Sequence, residues 1–171
     1  MATPTIRLGQ PSGWKPGMTK HEQDDAAAPR LLIRSATEAD EAHVSALWRA
    51  SNLVTSYNDP SRDFHFARAK EGSDVLVGVD VDHAIVGSVM VGHDGHRGWI
   101  YYLASAPTHR NQGIGRSMVE AAEQWLRNKG VAKVMLLVRE TNTQVVEFYT
   151  HLGFEPAPRV VMQKWLEEGD D

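Results

Sequence analysis

The sequence predicts an α/β fold built on a mixed, central twisted β-sheet with helices on both faces. Two observations support this prediction. The nearly unbroken apolar run 133–138 is typical of a strand that is buried on both faces. The stretch that begins at Ile114 instead repeats apolar residues at helical spacing and stops before Gly130, as a long amphipathic helix does.

The chain before this long helix contains a short strand and two shorter helices. Residues 31–34 indicate the strand, and Thr37 followed by Asp40 predicts a helix start of the capping-box type. The helical stripe that follows consists of Val44, Leu47, Trp48 and Ser51. The pair Asp59-Pro60 is typical of a cap with proline at the first helical position, and we expect this second helix to end at Gly72.

Three strands are predicted between the second helix and the long one. Residues 75–79 and 84–91 indicate two strands joined by a tight turn around 81–83. A hairpin loop at 93–98 then leads into a central strand at 98–105. The apolar face of the long helix is formed by Ile114, Met118, Val119, Ala122, Trp125 and Leu126.

The length of 171 residues fits one domain with a substantial core. Residues 1–29 are rich in Pro, Gly, Thr, Ala and charge, and we expect a flexible tail there. The folded domain is predicted at 30–166 and closes with a last strand at 160–165. The acidic end, 167–171, is expected to be a solvated tail.

Composition excludes several classes of protein. The formal net charge of -4 gives no general electrostatic reason to expect a nucleic-acid partner. No stretch approaches the length of a membrane span and no apolar block is typical of a secretory signal, so we expect a cytoplasmic protein without a membrane partner. The absence of cysteine excludes disulfides, cysteine-ligated metal sites and a cysteine nucleophile.

The most informative segment is the loop Arg110-Asn111-Gln112-Gly113-Ile114-Gly115-Arg116-Ser117, between the central strand and the long helix. Glycine lacks a Cβ, so backbone N–H groups near Gly113 and Gly115 can crowd around an anion, and the helix dipole adds positive potential. We interpret the loop as a pyrophosphate cradle; a glycine-rich turn without a ligand is the alternative. The dinucleotide fingerprint fails because Met118 stands at its third glycine position, and the Walker ending Gly-Lys-Ser/Thr is absent.

The arrangement Arg-x-x-Gly-x-Gly between a strand and a long helix resembles the acetyl-CoA motif of the GNAT superfamily of N-acetyltransferases. The downstream order is similar to that family as well: a strand, Asn142, a short helix carrying Phe148-Tyr149, then Leu152-Gly153-Phe154. Taken singly, an asparagine after a strand is often only a helix cap, and a Phe-Tyr pair is often core. Their joint order and spacing favour the family.

Further strings resemble a bacterial subgroup usually labelled YpeA-like. These strings are Tyr57-Asn58-Asp59-Pro60 with Asp63, Gly92-His93-Asp94-Gly95-His96-Arg97-Gly98-Trp99, and Val138-Arg139-Glu140-Thr141-Asn142. The resemblance covers 31–165. It implies a GNAT-like sheet in which two parallel strands splay apart, here those ending at Ser105 and Val138, with a bulge near Leu103-Ala104.

The resemblance implies an N-acetyltransferase that uses acetyl-CoA as cosubstrate and a primary amine as acceptor. The N–H of Leu103 would stabilise the tetrahedral oxyanion, and Tyr149 would donate a proton to the leaving thiolate. The implied cofactor-binding residues are Leu103, Ala104, Ser105, Arg110, Asn111, Gln112, Gly113, Ile114, Gly115, Arg116, Ser117, Asn142, Phe148 and Tyr149. Since the chain has no cysteine, we expect direct attack by the amine.

The sequence leaves the general base open. The acceptor must attack as a neutral amine, and a lysine-like amine has a pKa of about 10.4. Many relatives place a glutamate on the central strand, where this chain has Trp99-Ile100-Tyr101-Tyr102. The candidates are Glu140, His93, His96, Asp59 and water. No third ligand accompanies His93 and His96, so no metal site is predicted.

The acceptor is also left open: it can be a small molecule, a protein N terminus or a lysine. Tyr57 and Tyr101 are expected to line its pocket. A competing hypothesis is a module that senses acetyl-CoA without turnover, with Trp99 in place of the expected carboxylate. A dinucleotide-binding protein is a third hypothesis, which the loop pattern disfavours. Both a monomer and a homodimer fit the sequence.

Overall fold

The computed structural model describes residues 31–166, so the predicted tails at 1–29 and 167–171 lie outside the described residues. The strands are β1 (Leu32–Ser35), β2 (Ser73–Val79), β3 (Ile85–His93), β4 (Gly98–Ser105) and β5 (Val134–Leu136). The α-helices are α1 (Glu41–Ala50), α2 (Pro60–Ala67), α3 (Ile114–Asn128) and α4 (Thr143–His151). Short 3₁₀ helices precede α1 at Glu38–Asp40 and α3 at Pro107–His109.

The five strands of the described chain form one sheet in the order β1-β2-β3-β4-β5. The first three pairings are antiparallel and the β4–β5 pairing is parallel. Side chains alternate between the two faces: Val75 and Val77 pack in a core with α1 and α2, whereas Leu76 packs in a core with α3. The mixed sheet with helices on both faces confirms the predicted fold class.

Both predicted helix starts are formed. The backbone N–H of Thr37 donates to the carboxylate of Asp40 at 2.7 Å, as in a capping box. Arg34 donates to the same carboxylate at 2.6 Å and holds the pKa of Asp40 well below its usual range. At the second start, Asp59 accepts from the backbone N–H groups of the first turn of α2, and Pro60 is the first helical residue.

The prediction that the second helix ends at Gly72 was wrong, because α2 ends at Ala67. Arg68 already has an extended backbone with ψ of 135°, and Ala69 has a φ of +51°. The buried carboxylate of Asp74 accepts from the N–H of Ala69 at 3.0 Å and so stabilises this turn. This contact from the following strand β2, five positions further along the chain, stabilises the end of the helix, and helix propensity alone did not reveal it.

Two strand predictions near the carboxyl end also need correction. The run 133–138 forms only the three residues of β5, which are half-buried rather than buried on both faces. The predicted strand at 160–165 is absent, since residues 155–166 contain no strand. In the described chain β5 has β4 on one side and no neighbour on the other, and residues 160–165 pair with no strand. Strand propensity without a paired neighbour does not form a strand.

Glycines in three neighbouring strands let α3 approach the sheet closely. A Cβ added to Gly87 would lie 2.7 Å from Ile114, and one added to Gly98 would lie 2.5 Å from Leu126. Gly78 meets Met118 in the same way, at 2.9 Å. Such separations are shorter than real van der Waals contacts of a Cβ atom. The glycines therefore fix the depth at which α3, and with it the loop that precedes α3, is seated.

We expect Gly98→Ala to lower the free energy of unfolding by about 1–3 kcal/mol, because the new methyl group overpacks the contact with Leu126. Urea denaturation measures this loss. In a Leu126→Ala background the same substitution should cost clearly less, since the clashing atoms are gone. Equal losses in the two backgrounds would show that close packing against α3 is not the reason for glycine at this position.

Candidate active site

The sheet opens between β4 and β5. The two strands pair at three positions, the last of which joins Ile100 to Leu136. β4 then continues to Ser105, so its backbone from Tyr101 onward is not paired with β5. An unpaired strand edge presents N–H and C=O groups that an extended ligand can bind. The predicted splay is thus present, although β5 ends at Leu136 rather than at Val138.

A β-bulge lies within the open part of β4. Ser88 pairs with Ala104 and Met90 with Tyr101, so Tyr102 and Leu103 together oppose one residue of β3. The bulge is therefore one residue earlier than the predicted Leu103-Ala104. Tyr102 has a φ of +48°, a left-handed conformation that is rare for a bulky residue. Such strain is retained where surrounding contacts hold it, often at functional sites.

The loop before α3 has the geometry of an anion cradle. Asn111 and Gly113 have φ values of +60° and +78°, which interrupt the right-handed backbone as in a nest of N–H groups. No side chain caps α3, and the first described backbone bond of the helix runs from Ser117 N–H to Gly113 C=O. The N–H groups at 114–116 consequently have no acceptor within residues 31–166. Arg110 and Arg116 are exposed beside them.

The start of α3, the end of β4 and α4 meet at one point. A Cβ added to Gly115 would lie 3.2 Å from the Phe148 ring and 3.6 Å from the Ser105 hydroxyl. The structure therefore brings together Ser105, Gly115 and Phe148, three predicted cofactor-binding residues that span 43 positions of the sequence (148 minus 105). Any side chain at Gly115 would press on Phe148 and narrow this junction.

Tyr149 lies next to that junction and is buried. Its ring makes edge contacts with Phe148 and Phe154, with centroids 5.1 and 5.3 Å away. Burial raises the pKa of Tyr149 to about 12, so its hydroxyl keeps its proton at neutral pH. At the start of the same helix, the side chain of Asn142 accepts from Val145 N–H at 3.4 Å. Asn142 is thus a helix cap and is exposed.

A polar cluster surrounds the bulge on the side of α1 and α2. The ring of Tyr102 stacks on Trp48 at 4.4 Å, and the indole of Trp48 donates to the buried hydroxyl of Ser88 at 3.0 Å. The hydroxyl of Tyr102 donates to Asp63 at 2.7 Å and accepts from the side chain of Asn58 at 2.9 Å. Burial, then the bond to Asp63, raises the pKa of Tyr102 above its usual range.

None of the four side chains predicted as general-base candidates lies in this cluster. Glu140 and His96 are exposed in loops, and Asp59 is engaged as the cap of α2. The ring of His93 lies 6.1 Å from that of Trp125 on α3, outside the cluster, although His93 also lines a cavity beside the end of α2. Among residues 31–166, no group of three or more His, Asp or Glu side chains could hold a metal ion.

The cluster does contain a carboxylate, that of Asp63, which was not among the predicted general-base candidates. It is half-buried, and both of its described bonds, from Tyr102 and Asn58, go to the same oxygen, Oδ2. Its appearance in the Tyr57-to-Asp63 string was the available signal. Spacing alone could not reveal its role, because its partner Tyr102 follows 39 positions later and meets it only through the bulge.

An open apolar cavity of about 640 Å³ lies beside the end of α2, over β3 and β4. Tyr101 lines it together with Phe66, Met90 and Trp99. At the rim, the indole N–H of Trp99 donates to Asp94. The backbone N–H of Arg97, this indole bond and the backbone N–H of His96, in decreasing order, lower the pKa of Asp94 to about 2. Tyr57, also expected to line a pocket, is exposed and instead contacts the ring of Trp165 at 5.4 Å.

Comparisons with known proteins agree with this geometry. The acetyltransferase (GNAT) family model matches residues 37–154. An acetyltransferase of Pectobacterium atrosepticum is 35% identical over 138 residues, which are 81% of this chain and 97% of that protein. An acetyltransferase of Yersinia enterocolitica is 34% identical over 136 residues, 80% and 96% of the two chains.

Solved structures show the same fold. The aminoglycoside N-acetyltransferase AAC(6')-Iy, solved with CoA, aligns with a TM-score of 0.68 and 18% identity over 80% of this chain and 95% of its own. Glucosamine-6-phosphate N-acetyltransferase from Arabidopsis thaliana aligns with a TM-score of 0.61 and 18% identity, over 80% and 99% of the two chains. At these identities the likeness concerns the fold alone.

The mixed sheet with helices on both faces is thus the fold of the solved acetyltransferases. The chain belongs to the GNAT family of acetyltransferases and is an acetyl-transferring enzyme. No helix within residues 31–166 combines the length and the apolar character needed to cross a membrane.

Proposed function

We propose that this enzyme transfers the acetyl group of acetyl-CoA to a primary amine, by direct attack of the amine on the thioester. The observation that carries the proposal is the path from the bulge of β4 to the uncapped start of α3. Along that path the backbone of β4 is open, and its end meets both the cradle and α4 at Gly115. The intracellular supply of acetyl-CoA fits a cytoplasmic enzyme.

The cradle binds the pyrophosphate of the cosubstrate. Backbone N–H groups from Asn111 to Arg116 face the phosphates, and the positive end of the α3 dipole favours their charge. Arg110 and Arg116 add charge-assisted bonds. Ser117 and Gln112 complete the loop, and Ile114 anchors it by packing into the core.

The pantetheine arm lies along the open edge of β4, as an added strand would. Backbone groups of Leu103 and Ser105, on either side of Ala104, supply its hydrogen bonds. In the proposed complex Phe148 flanks the arm, because its ring lies 3.2 Å from the position that a Cβ of Gly115 would occupy. Asn142, at the start of α4, bonds the arm with the part of its amide that the cap does not use. The CoA complex of AAC(6')-Iy, which shares the fold, supports this choice of cosubstrate.

The chemistry follows from the bulge. The bulge leaves Tyr102 and Leu103 opposite one residue of β3. In the proposed complex the N–H of Leu103 faces the thioester carbonyl and stabilises the negative oxygen of the tetrahedral intermediate. The amine nitrogen bonds to the carbonyl carbon, the carbon–sulfur bond breaks, and Tyr149 gives its proton to the sulfur. The proton that the amine loses passes to a base. Because the amine itself attacks the thioester, no acyl-enzyme forms.

Asp63 is the carboxylate best placed to receive that proton, through water. It lies on the α1–α2 side of the sheet and bonds to Tyr102, the residue before Leu103. Its Oδ1 has no hydrogen-bond partner within residues 31–166, and a carboxylate there attracts the ammonium form of the acceptor before deprotonation. Tyr102 stays protonated and holds Asp63 in position.

We expect Asp63→Asn to lower kcat/KM for the amine about fivefold to tenfold, because the amide neither accepts the proton nor attracts an ammonium group. The affinity for acetyl-CoA and the melting temperature should stay unchanged, since the amide oxygen still accepts from Tyr102. Asp59→Asn is the matched control: asparagine caps a helix as well as aspartate does, and this variant should keep wild-type kinetics. Wild-type kcat/KM in both variants would reduce Asp63 to a structural partner of Tyr102.

The proposed reaction is tested with three amine probes: a small diamine, a peptide with a free N terminus and a peptide with one lysine. Each is incubated with enzyme and acetyl-CoA, and mass spectrometry detects products that gain one acetyl group. Acetylation of at least one probe, together with release of free CoA thiol, is the expected result. Labelled acetyl found covalently on the enzyme before amine is added would contradict direct attack.

A further inference from the structure

The open cavity beside the end of α2 has the size and the walls of a small-molecule site. Its volume is about 640 Å³, and Phe66, Met90, Trp99 and Tyr101 line it. Phe66, in the last turn of α2, is 81% exposed, and Tyr101 is 43% exposed. Mostly apolar pockets of about 300–1,000 Å³ are typical of ligand sites, and clustered apolar side chains that stay exposed mark binding surfaces. The cavity therefore indicates an apolar ligand.

The cavity adjoins the residues to which the chemistry is assigned. Tyr101 directly precedes Tyr102 on β4, and Phe66 follows Asp63 by about one helical turn on α2. The two elements that carry the cavity walls thus also carry the hydrogen-bonded pair of Tyr102 and Asp63. At about 3.3 Å per residue, Tyr101 lies roughly 7 Å along the strand from Leu103, whose N–H is proposed to face the thioester. From there the cavity extends toward the β3–β4 hairpin.

Two aromatic rings form a preformed floor in this cavity. Trp99 and Tyr101 lie two positions apart on one face of β4, and their rings are nearly parallel, with an interplanar angle of 12° and centroids 6.3 Å apart. The bond from the Trp99 indole to Asp94, at 3.1 Å, fixes the first ring. Met90 pairs with Tyr101 across the sheet, and its flexible thioether adapts to an aromatic neighbour. This floor suits a flat ring, since aromatic pairs gain more than their buried area alone provides.

We propose that the cavity binds the body of the acceptor, and that the acceptor is a small primary amine with a flat apolar ring system about two or three carbons from its nitrogen, a linker that matches the span along β4. This substrate class rests on the proposed acetyl transfer from acetyl-CoA. The ring system packs on Trp99 and Tyr101 beside Phe66, and the linker reaches past Tyr101 to the thioester. The nitrogen bonds to the acetyl carbon, CoA leaves as the thiol, and an uncharged amide is released.

Phe66 and Tyr101 are then specificity-determining residues, which a pair of probe amines tests. Phenethylamine carries the ring and n-butylamine does not, and kcat/KM is expressed for the neutral form of each. The wild-type chain should prefer phenethylamine at least about tenfold, because only its ring contacts the floor. Phe66→Ala and Tyr101→Ala should each reduce this preference about fivefold or more, with kcat/KM for n-butylamine nearly unchanged.

The controls separate the loss of a ring from the loss of the fold. Tyr101→Phe keeps the ring and should restore the preference that Tyr101→Ala loses. Val81→Ala removes an apolar side chain that is equally exposed but lies in the β2–β3 turn, outside the cavity, and should leave both kcat/KM values unchanged. Melting temperatures check that every variant folds; Phe66→Ala in particular should melt as the wild type does, because its side chain is exposed.

The kinetic outcomes distinguish the substrate class from the reaction. Equal kcat/KM for the two neutral amines, or a preference that neither alanine variant changes, would overturn the substrate class and leave acetyl transfer standing. Transfer to neither amine nor to any peptide probe would overturn the proposed function and the substrate class with it. A peptide with an N-terminal phenylalanine that reacts with a higher kcat/KM than phenethylamine would assign the cavity to a protein acceptor instead.

Thiol labelling locates the acceptor without turnover, because the natural chain has no cysteine. Lys70→Cys places a thiol in the cavity wall at an exposed position, and Val81→Cys places one outside it. Both are labelled with a maleimide in the presence of S-ethyl-CoA, a thioether that has neither a free thiol nor an acetyl group. Phenethylamine at ten times its half-protecting concentration should slow labelling of Lys70→Cys about tenfold. n-Butylamine should not, and Val81→Cys should be labelled at one rate throughout. Absence of protection, or equal protection of both variants, would overturn the assignment of the cavity.

Discussion

Replacing Gly113 by aspartate is expected to raise the Kd for acetyl-CoA about a hundredfold or more. The carboxylate would stand at the left-handed residue that immediately precedes α3, among the N–H groups proposed to bind the pyrophosphate. Two like charges about 4 Å apart near a protein surface repel by about 4 kcal/mol, and every 1.4 kcal/mol is a factor of about ten in Kd. Calorimetric titration of acetyl-CoA into the folded variant measures the change.

Gly113→Asn is the matched control for this charge. Asparagine and aspartate have the same shape, and both tolerate the left-handed φ of +78° better than other side chains do. Any backbone strain is therefore common to the two variants, and only the charge differs. We expect a Kd for the asparagine variant within about tenfold of wild type. Similar losses in both variants would mean that sterics, and not an anion in the cradle, determine the effect.

The parts of the fold that the sequence revealed are those fixed by local rules. Asp59-Pro60 begins α2 because a cap and a proline satisfy the helix start within one turn. The bounds of the central strand, Gly98–Ser105, were predicted to the residue, since a glycine turn precedes the strand and its apolar run is unbroken. The loop before α3 could likewise be predicted from the sequence, because two glycines flank Ile114 at a strand-to-helix turn.

The parts that the sequence did not reveal depend on contacts between different secondary-structure elements. The end of α2 at Ala67 is stabilised by Asp74 on β2, and the bulge is stabilised at Tyr102, which contacts Trp48 and Asp63. The missing strand at 160–165 is an instance of the same limit. Its side chains have the required propensity, yet strand formation needs a free edge within reach. Local pattern therefore located the glycine-containing loop before α3 but not the cluster around Tyr102 and Asp63.

Tyr149→Phe is expected to lower the single-turnover rate of acetyl transfer ten- to a hundredfold, while the Kd for acetyl-CoA barely changes. General acid catalysis is typically worth a factor of about 10²–10⁴. The low end applies because a CoA-like thiol, with a pKa of about 8.5, is a moderate leaving group that water can also protonate. The ring contacts with Phe148 and Phe154 are kept in phenylalanine, so the melting temperature should hardly move.

The pH dependence of the single-turnover rate distinguishes the proposed acid, Tyr149, from the base that accepts the proton of the amine. Burial raises the pKa of Tyr149 to about 12, so loss of its proton cannot produce a decline in rate between pH 7 and 10. If Tyr149 is the acid, the rate of Tyr149→Phe is reduced by a similar factor across this range, and the rising limb due to amine deprotonation is retained. A wild-type single-turnover rate would leave Tyr149 as a core residue. A collapse of acetyl-CoA affinity instead of the rate would assign its hydroxyl to holding the cosubstrate.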